Sequence, residues 1–356
     1  MTQNPHVRAF FALPPLVTRR DSLPAIRIAL SVGIPLLVLL LAGEPNLTIF
    51  TAFGAFTALY GRNQPMIPRL IQQSSAGALM VLSVSVGILL SDQHVEDWLL
   101  VVLASLLATI CAYIAMILRL KPGGPLFYIF ASAGIASVPY SGHSARDIGL
   151  TVASAALSIL LGFVLGELLG EGKGHVAVVE SPLNHRHLMT QTITNFLTTM
   201  VAGLVGNLLG LSHAYWAMVA AAAVLAAPSA SLRILRGVHR MIGTILGVVV
   251  TAFFISMNPD AWHIAVLVVV AQFVTELFVM RNYGLAAVFI TPLALFMVHL
   301  ASPFTSYELL TTRMFETILG AMIGMMGAIV SPSPAYLGKN TVAIPVIRLA
   351  RSYRRK

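Results

Sequence analysis

Apolar residues along this chain gather in blocks much longer than a soluble fold uses, with short charged or Pro/Gly-rich breaks between them. The first six blocks run from Arg27 to Gly43, Leu47 to Tyr60, Arg69 to Ser91, Trp98 to Leu118, Pro125 to Pro139 and Ile148 to Leu169. After a polar stretch the pattern resumes from Thr190 to Leu211, Tyr215 to Pro228, Arg236 to Ser256, Trp262 to Met280, Tyr283 to Leu300 and Arg313 to Val330. Crossing hydrocarbon as a helix takes roughly 20 apolar residues. The pattern therefore predicts an all-α integral membrane protein of about twelve transmembrane helices. It also predicts the organisation: a cytoplasmic N-terminal arm (1–26), a six-helix membrane repeat (27–169), a cytoplasmic linker (170–189), a second six-helix repeat (190–330) and a basic cytoplasmic tail (331–356). The arm is interrupted by Pro5, Pro14, Pro15 and Pro24, so it lacks the apolar core of a secretory signal.

The two sets of six blocks echo each other. Each has a short second span with a charged turn behind it, a Gly-bearing third span, an acidic loop with Trp and a last span opening on Arg. Gly77 corresponds to Gly243, Asp97-Trp98 to Asp260 and Trp262, Arg119 to Arg281, and Arg146 to Arg313. An even number of spans per half makes the repeats parallel, related by an axis along the membrane normal. Leu47 to Tyr60 and Tyr215 to Pro228, about 14 residues each, reach only about 21 Å against a hydrocarbon core of about 30 Å. Either they are broken helices that line a cavity, or their ends sit where the membrane is thinned or filled by protein. Together with the fifth and eleventh spans they mark the expected transport path, and Thr291-Pro292 adds an expected kink.

Composition agrees: 57% of residues are hydrophobic, 10% are charged and the mean hydropathy is +0.86, so little chain remains outside lipid. The formal charge of +9 is no sign of nucleic acid once its distribution is followed. With the amino terminus inside, all of the 22 Lys and Arg except Arg146 and Arg313 fall on the cytoplasmic side. The outer loops hold Glu44, Asp92, Glu96, Asp97, Asp147, Asp260 and Glu308. That bias places both termini in the cytoplasm. The tail from Thr341 to Lys356 reads equally as a basic amphipathic segment on the inner leaflet or as a disordered basic tail.

Charges inside spans are expensive and so become the candidate chemistry. Glu276 follows Gln272 by one helical turn, and the sequence offers it either a role in a polar path or a structural pair with Arg281 or Arg240. Glu316 lies three residues after Arg313, the spacing of an intrahelical ion pair. Arg146 and Arg313 read either as interfacial anchors or, from their matched positions, as two guanidiniums holding a carboxylate at the seam. There is no Gly-Lys-Ser/Thr phosphate loop, no zinc-spaced His/Cys set, no Gly-x-Ser-x-Gly elbow and a single cysteine, Cys111. The expectation is a non-enzyme without cofactor or metal, moving its cargo passively or driven by a gradient.

The second half carries residues that resemble a known family. They are His213-Ala214-Tyr215-Trp216-Ala217-Met218 with Pro228, Arg233 to Arg236, Arg240-Met241-Ile242-Gly243-Thr244 through Gly247, Glu276 to Ala286 with Arg281-Asn282-Tyr283, Phe289 to Leu295, and Arg313 to Gly320. This set is similar to the fusaric acid resistance (FUSC) and aromatic acid exporter family. The first half resembles it only through the repeat. The resemblance implies six-helix modules used in pairs and proton-driven efflux of aromatic organic acids across the plasma (inner) membrane of a bacterium. It also departs from the longer members, which carry a large cytosolic domain after the membrane part. The candidate substrate-binding residues are Arg146, Arg313, Arg240, Arg281, Asn282, Tyr283, Thr291 and Trp216, and the proton-coupling candidates are Glu276 and Glu316. The expected partners are the lipid bilayer and a small organic anion, without nucleic acid, and a homo-oligomer is left open. An anion channel and a non-transporting scaffold for envelope assembly are the alternative functions.

Overall fold

A computed structural model describes residues 17–138, 142–172, 185–301 and 307–331. The basic tail, most of the arm and much of the linker lie outside the described residues. Within them are twelve α-helices and no strand. In chain order these are α1 (Arg19–Leu41), α2 (Thr48–Ala55), α3 (Met66–Asp92), α4 (Asp97–Ile117), α5 (Leu126–Ala136), α6 (Ser144–Leu168), α7 (His185–Leu208), α8 (Tyr215–Leu225), α9 (Ala230–Ser256), α10 (Ala261–Phe278), α11 (Tyr283–Ala301) and α12 (Tyr307–Val330). Nine of them are long and apolar enough to cross a membrane, so the chain is a multi-pass membrane protein.

Several boundaries differ from the apolar pattern for local reasons. α1 starts at Arg19 rather than Arg27, because Thr18 and Asp21 form a capping box in which the Thr18 N–H donates to the Asp21 carboxylate at 2.9 Å. A polar capping turn is invisible to a search for apolar runs. α7 likewise starts at His185 rather than Thr190. The second apolar block is a broken element: a 3₁₀ turn at Pro45–Leu47, then α2, then a second 3₁₀ turn at Phe56–Leu59.

The short helices are held inside the molecule. Every residue of α8 is buried, as is most of α5 and α2. Surrounded by protein along their length, they have no need to match the thickness of the bilayer. Large apolar side chains of the long helices face outward instead, among them Ile110, Phe163, Ile193, Val249 and Phe253. In water such a surface would aggregate, and in lipid it is the solvated face.

In the first half α2 packs on α6, α3 on α5 and α6, α1 on α2 and α6, and α4 on α5. In the second half α8 packs on α12, α9 on α11 and α12, α7 on α8 and α12, and α10 on α11. Across the seam α1 meets α10, α4 meets α7, α5 meets α8 and α2 meets α11. Glycines permit the closest of these approaches: a Cβ on Gly54 would run into the Thr151 carbonyl of α6, and one on Gly320 into the Ala217 carbonyl of α8. The main core cluster spans the seam, joining Phe53, Tyr128 and Ile129 to Tyr215, Trp216 and Met218.

Candidate functional site

A cavity of about 160 Å³ lies on the seam, lined by α2, α5, α8 and α11 and closed by residues of α9, α10 and α12. These are the second, fifth, eighth and eleventh helices singled out above. One wall is aromatic. Phe53 meets Phe130 edge-on at 5.1 Å between ring centroids, and Phe130 meets Trp216 at 4.8 Å, with Phe56, Phe127 and Tyr215 beside them.

The polar groups enter from the second half. Arg313, near the start of α12, is 1% exposed, and its guanidinium carbon stands 3.5 Å from the Trp216 ring centroid. A desolvated cation–π contact of this kind is worth about 2 kcal/mol. None of Nε, Nη1 and Nη2 of Arg313 has a hydrogen-bond partner. The expected Arg313–Glu316 ion pair is not formed, which corrects the reading from spacing. Glu316 accepts the His213 N–H at 2.9 Å at the entry to α8, and its other oxygen is unpartnered. Nor is Arg313 an interfacial anchor, since it is buried against the cavity.

Arg236 and Arg240, one turn apart on α9, converge on Tyr283. The Arg236 guanidinium lies 3.8 Å from the Tyr283 ring centroid, and Arg240 Nη1 donates to the Tyr283 hydroxyl at 3.4 Å. The Nε of each is buried and unpartnered. Arg236 belongs to the family-like stretch but was not among the candidate residues, since its position at the start of a span reads as positive-inside charge.

Glu276 also lines the cavity, but neither Arg281 nor Arg240 pairs with it. Arg62, in the turn before α3 of the other half, donates to Glu276 Oε2 at 3.0 Å and to its backbone carbonyl at 2.7 Å. Gln272 Nε2 donates to Oε1 at 3.1 Å, as their one-turn spacing predicts. The partner lies 214 positions away in the chain, beyond any local spacing rule.

Other candidate residues stand away from the cavity. Arg146 pairs with Asp147 at 3.0 Å with its side chain 40% exposed, so it does not join Arg313 at the seam. Arg281 pairs with Asp21 of α1. Asn282 accepts the Leu285 N–H at 3.1 Å and so caps α11. Thr291 is buried between α11 and α9, with its hydroxyl on the Ala287 carbonyl and on Thr244. The structure brings Arg313, Arg240, Tyr283, Trp216 and Glu276 together on the cavity wall, with Glu316 just behind.

A second buried cluster went unnoticed in the sequence. Arg27 donates through Nε to Glu171 Oε2 at 2.9 Å, through Nη2 to Oε1 at 3.2 Å and through Nη1 to the Ala58 carbonyl at 2.8 Å. Glu171 also accepts the Asn63 N–H at 3.1 Å. Burial pushes the Glu171 carboxyl up, but the charge and hydrogen bonds of Arg27, the Asn63 N–H and the charge of Arg69 outweigh it and hold it below the usual glutamate range. Arg27 inside an apolar block was the available signal. With each of the three Arg27 nitrogens engaged by the protein itself, the cluster is a structural clamp and not a binding site.

Residues 201–327 match the family described as Fusaric acid resistance protein-like. That agrees with the resemblance read from the sequence, and the segment contains Trp216, Arg236, Arg240, Glu276, Tyr283 and Arg313. Two curated relatives carry similar segments. "Uncharacterized membrane protein YvaC" of Bacillus subtilis (strain 168) is 27% identical over 119 residues, 33% of this chain and 19% of that protein. "Uncharacterized protein YhfK" of Escherichia coli (strain K12) is 26% identical over 129 residues, 36% of this chain and 18% of that protein. The matched part thus spans about a fifth of the length of these relatives. No solved structure matches the chain.

Proposed function

We propose that the protein is a membrane transporter that exports small organic anions, aromatic acids foremost, through the seam between two six-helix repeats in a bacterial inner membrane. The observation that carries this reading is Arg313, a buried guanidinium stacked on Trp216 with no hydrogen-bond partner, at the edge of an aromatic-walled cavity. A buried charge left unpaired costs several kcal/mol. An aryl carboxylate removes that cost: the carboxylate takes the guanidinium N–H groups and the ring packs on the phenylalanines.

The repeat supports the same reading. Each intra-half packing pair named above has its counterpart six helices on, and the seam contacts α1–α10 with α4–α7 and α2–α11 with α5–α8 exchange under the same shift. Two parallel bundles related in this way can rock about a cavity on their common axis. In this reading all twelve helices belong to the membrane domain, both termini are cytoplasmic, and Arg62–Glu276 is the ionic contact that closes the cytoplasmic end. Protonation of Glu276 releases Arg62 and couples export to the proton gradient.

Comparing the growth of cells with and without the gene across a panel of carboxylic acids tests the reading. Loss of the gene sensitises cells to aryl carboxylates and not to their neutral esters. Equal sensitivity across the whole panel overturns it. For the coupling, Glu276→Gln abolishes pH-gradient-driven efflux from vesicles, whereas transport at the wild-type rate removes Glu276 from the mechanism.

A further inference from the structure

We infer that the anion this cavity is built for carries two negative charges on one flat apolar frame, a dicarboxylate and not a monocarboxylate. The inference rests on the organic-anion reading and deepens it. Three guanidiniums enter the cavity, Arg236 and Arg240 from α9 and Arg313 from α12. Most of the nearby acceptors are turned to other donors, and the two left over, Glu316 Oε2 and Gln272 Oε1, do not pair with these arginines. Glu276 is held by Arg62 and Gln272, one Glu316 oxygen is held by the His213 N–H, and the Tyr283 hydroxyl faces Arg240.

Donor arithmetic then sets the valence. All five N–H groups of Arg313 lack a partner, and so do the Nε–H groups of Arg236 and Arg240. One carboxylate offers about four acceptor positions, too few for these donors, and two offer about eight. Charge gives the same answer. Three guanidiniums face the cavity, and a dianion offsets more of that charge than a monoanion does. In a low-dielectric cavity that difference is large. Arg313 and Arg240 line the same cavity, so one molecule bound there faces both. The aromatic wall selects a planar frame between the two charges.

The test is equilibrium binding to the full-length protein in lipid nanodiscs at neutral pH, with benzoate and with phthalate, isophthalate and terephthalate. All share one ring and differ in charge. The best of the three diacids binds about tenfold or more tightly than benzoate. Arg313→Gln removes that advantage: it weakens the best diacid more than it weakens benzoate and brings the two within about threefold of each other. If Arg313→Gln does not fold, as judged by its thermal transition, Arg240→Gln gives the same collapse of the ratio. Benzoate binding as well as every diacid overturns the dianion inference and leaves the organic-anion reading standing. Absence of binding by benzoate and diacids alike overturns both.

Discussion

Arg313 shows what a single side chain reveals in sequence and what it conceals. A charge within a span is costly enough to draw attention, and its place in a family-like stretch drew more. Its partner could not be read, because spacing offered Glu316 whereas the fold delivered Trp216. Glu276 is the same case: Gln272, one turn away on its own helix, was legible, and Arg62 of the other half was not. Glu171 was missed because its partners are assembled only when α1, α3 and the end of α6 meet. It carries the residue-scale prediction. Glu171→Gln leaves Arg27 buried without its counter-ion and destabilises the protein by about 3–5 kcal/mol. Because the folded carboxyl titrates below the ordinary glutamate value of 4.5, the pair contributes fully above that pH. The contribution fades as pH falls through the lower folded value. Thermal unfolding in detergent from pH 3 to 7 should show an acid limb in the wild type that is much reduced in Glu171→Gln. Parallel acid limbs would contradict the assignment.

At the scale of elements, periodicity and length placed all twelve helices but erred at their ends. Polar caps such as Thr18–Asp21 extend a helix beyond its apolar block, and the 3₁₀ turns around α2 divide a run that looks continuous. Shortness was the more informative signal. α2, α5 and α8 are too short for the bilayer, are wrapped by their neighbours, and line the cavity together with α11. Their close packing depends on glycine at a few crossings, and Gly320 is the most confined, with the Ala217 carbonyl of α8 where a side chain would sit. Gly320→Leu should push α12 from α8, cost about 1–3 kcal/mol, and displace Arg313 two turns earlier on the same helix. Thermal stability and anion affinity would then fall together in a binding and unfolding comparison. A stable variant with unchanged affinity would show that the α8–α12 contact does not shape the site.

For the whole molecule, the distribution of Lys and Arg gave an orientation that the packing contacts do not determine by themselves. It predicts that single cysteines at His94 or at Asn258, in a Cys111→Ser background, react with a membrane-impermeant maleimide from outside intact cells, and that one at Lys121 does not. The opposite pattern would invert the topology. The cargo is written less plainly in the sequence than the architecture, because the proposed anion site is assembled across the seam from aromatic rings of both halves and arginines of the second. The claim that this seam is an organic-anion pathway is tested most directly by counterflow of labelled benzoate into proteoliposomes containing the wild type or Arg313→Gln. The account predicts uptake by the wild type and a loss of about tenfold or more in the variant, with both proteins equally folded. Equal uptake by the two would contradict it.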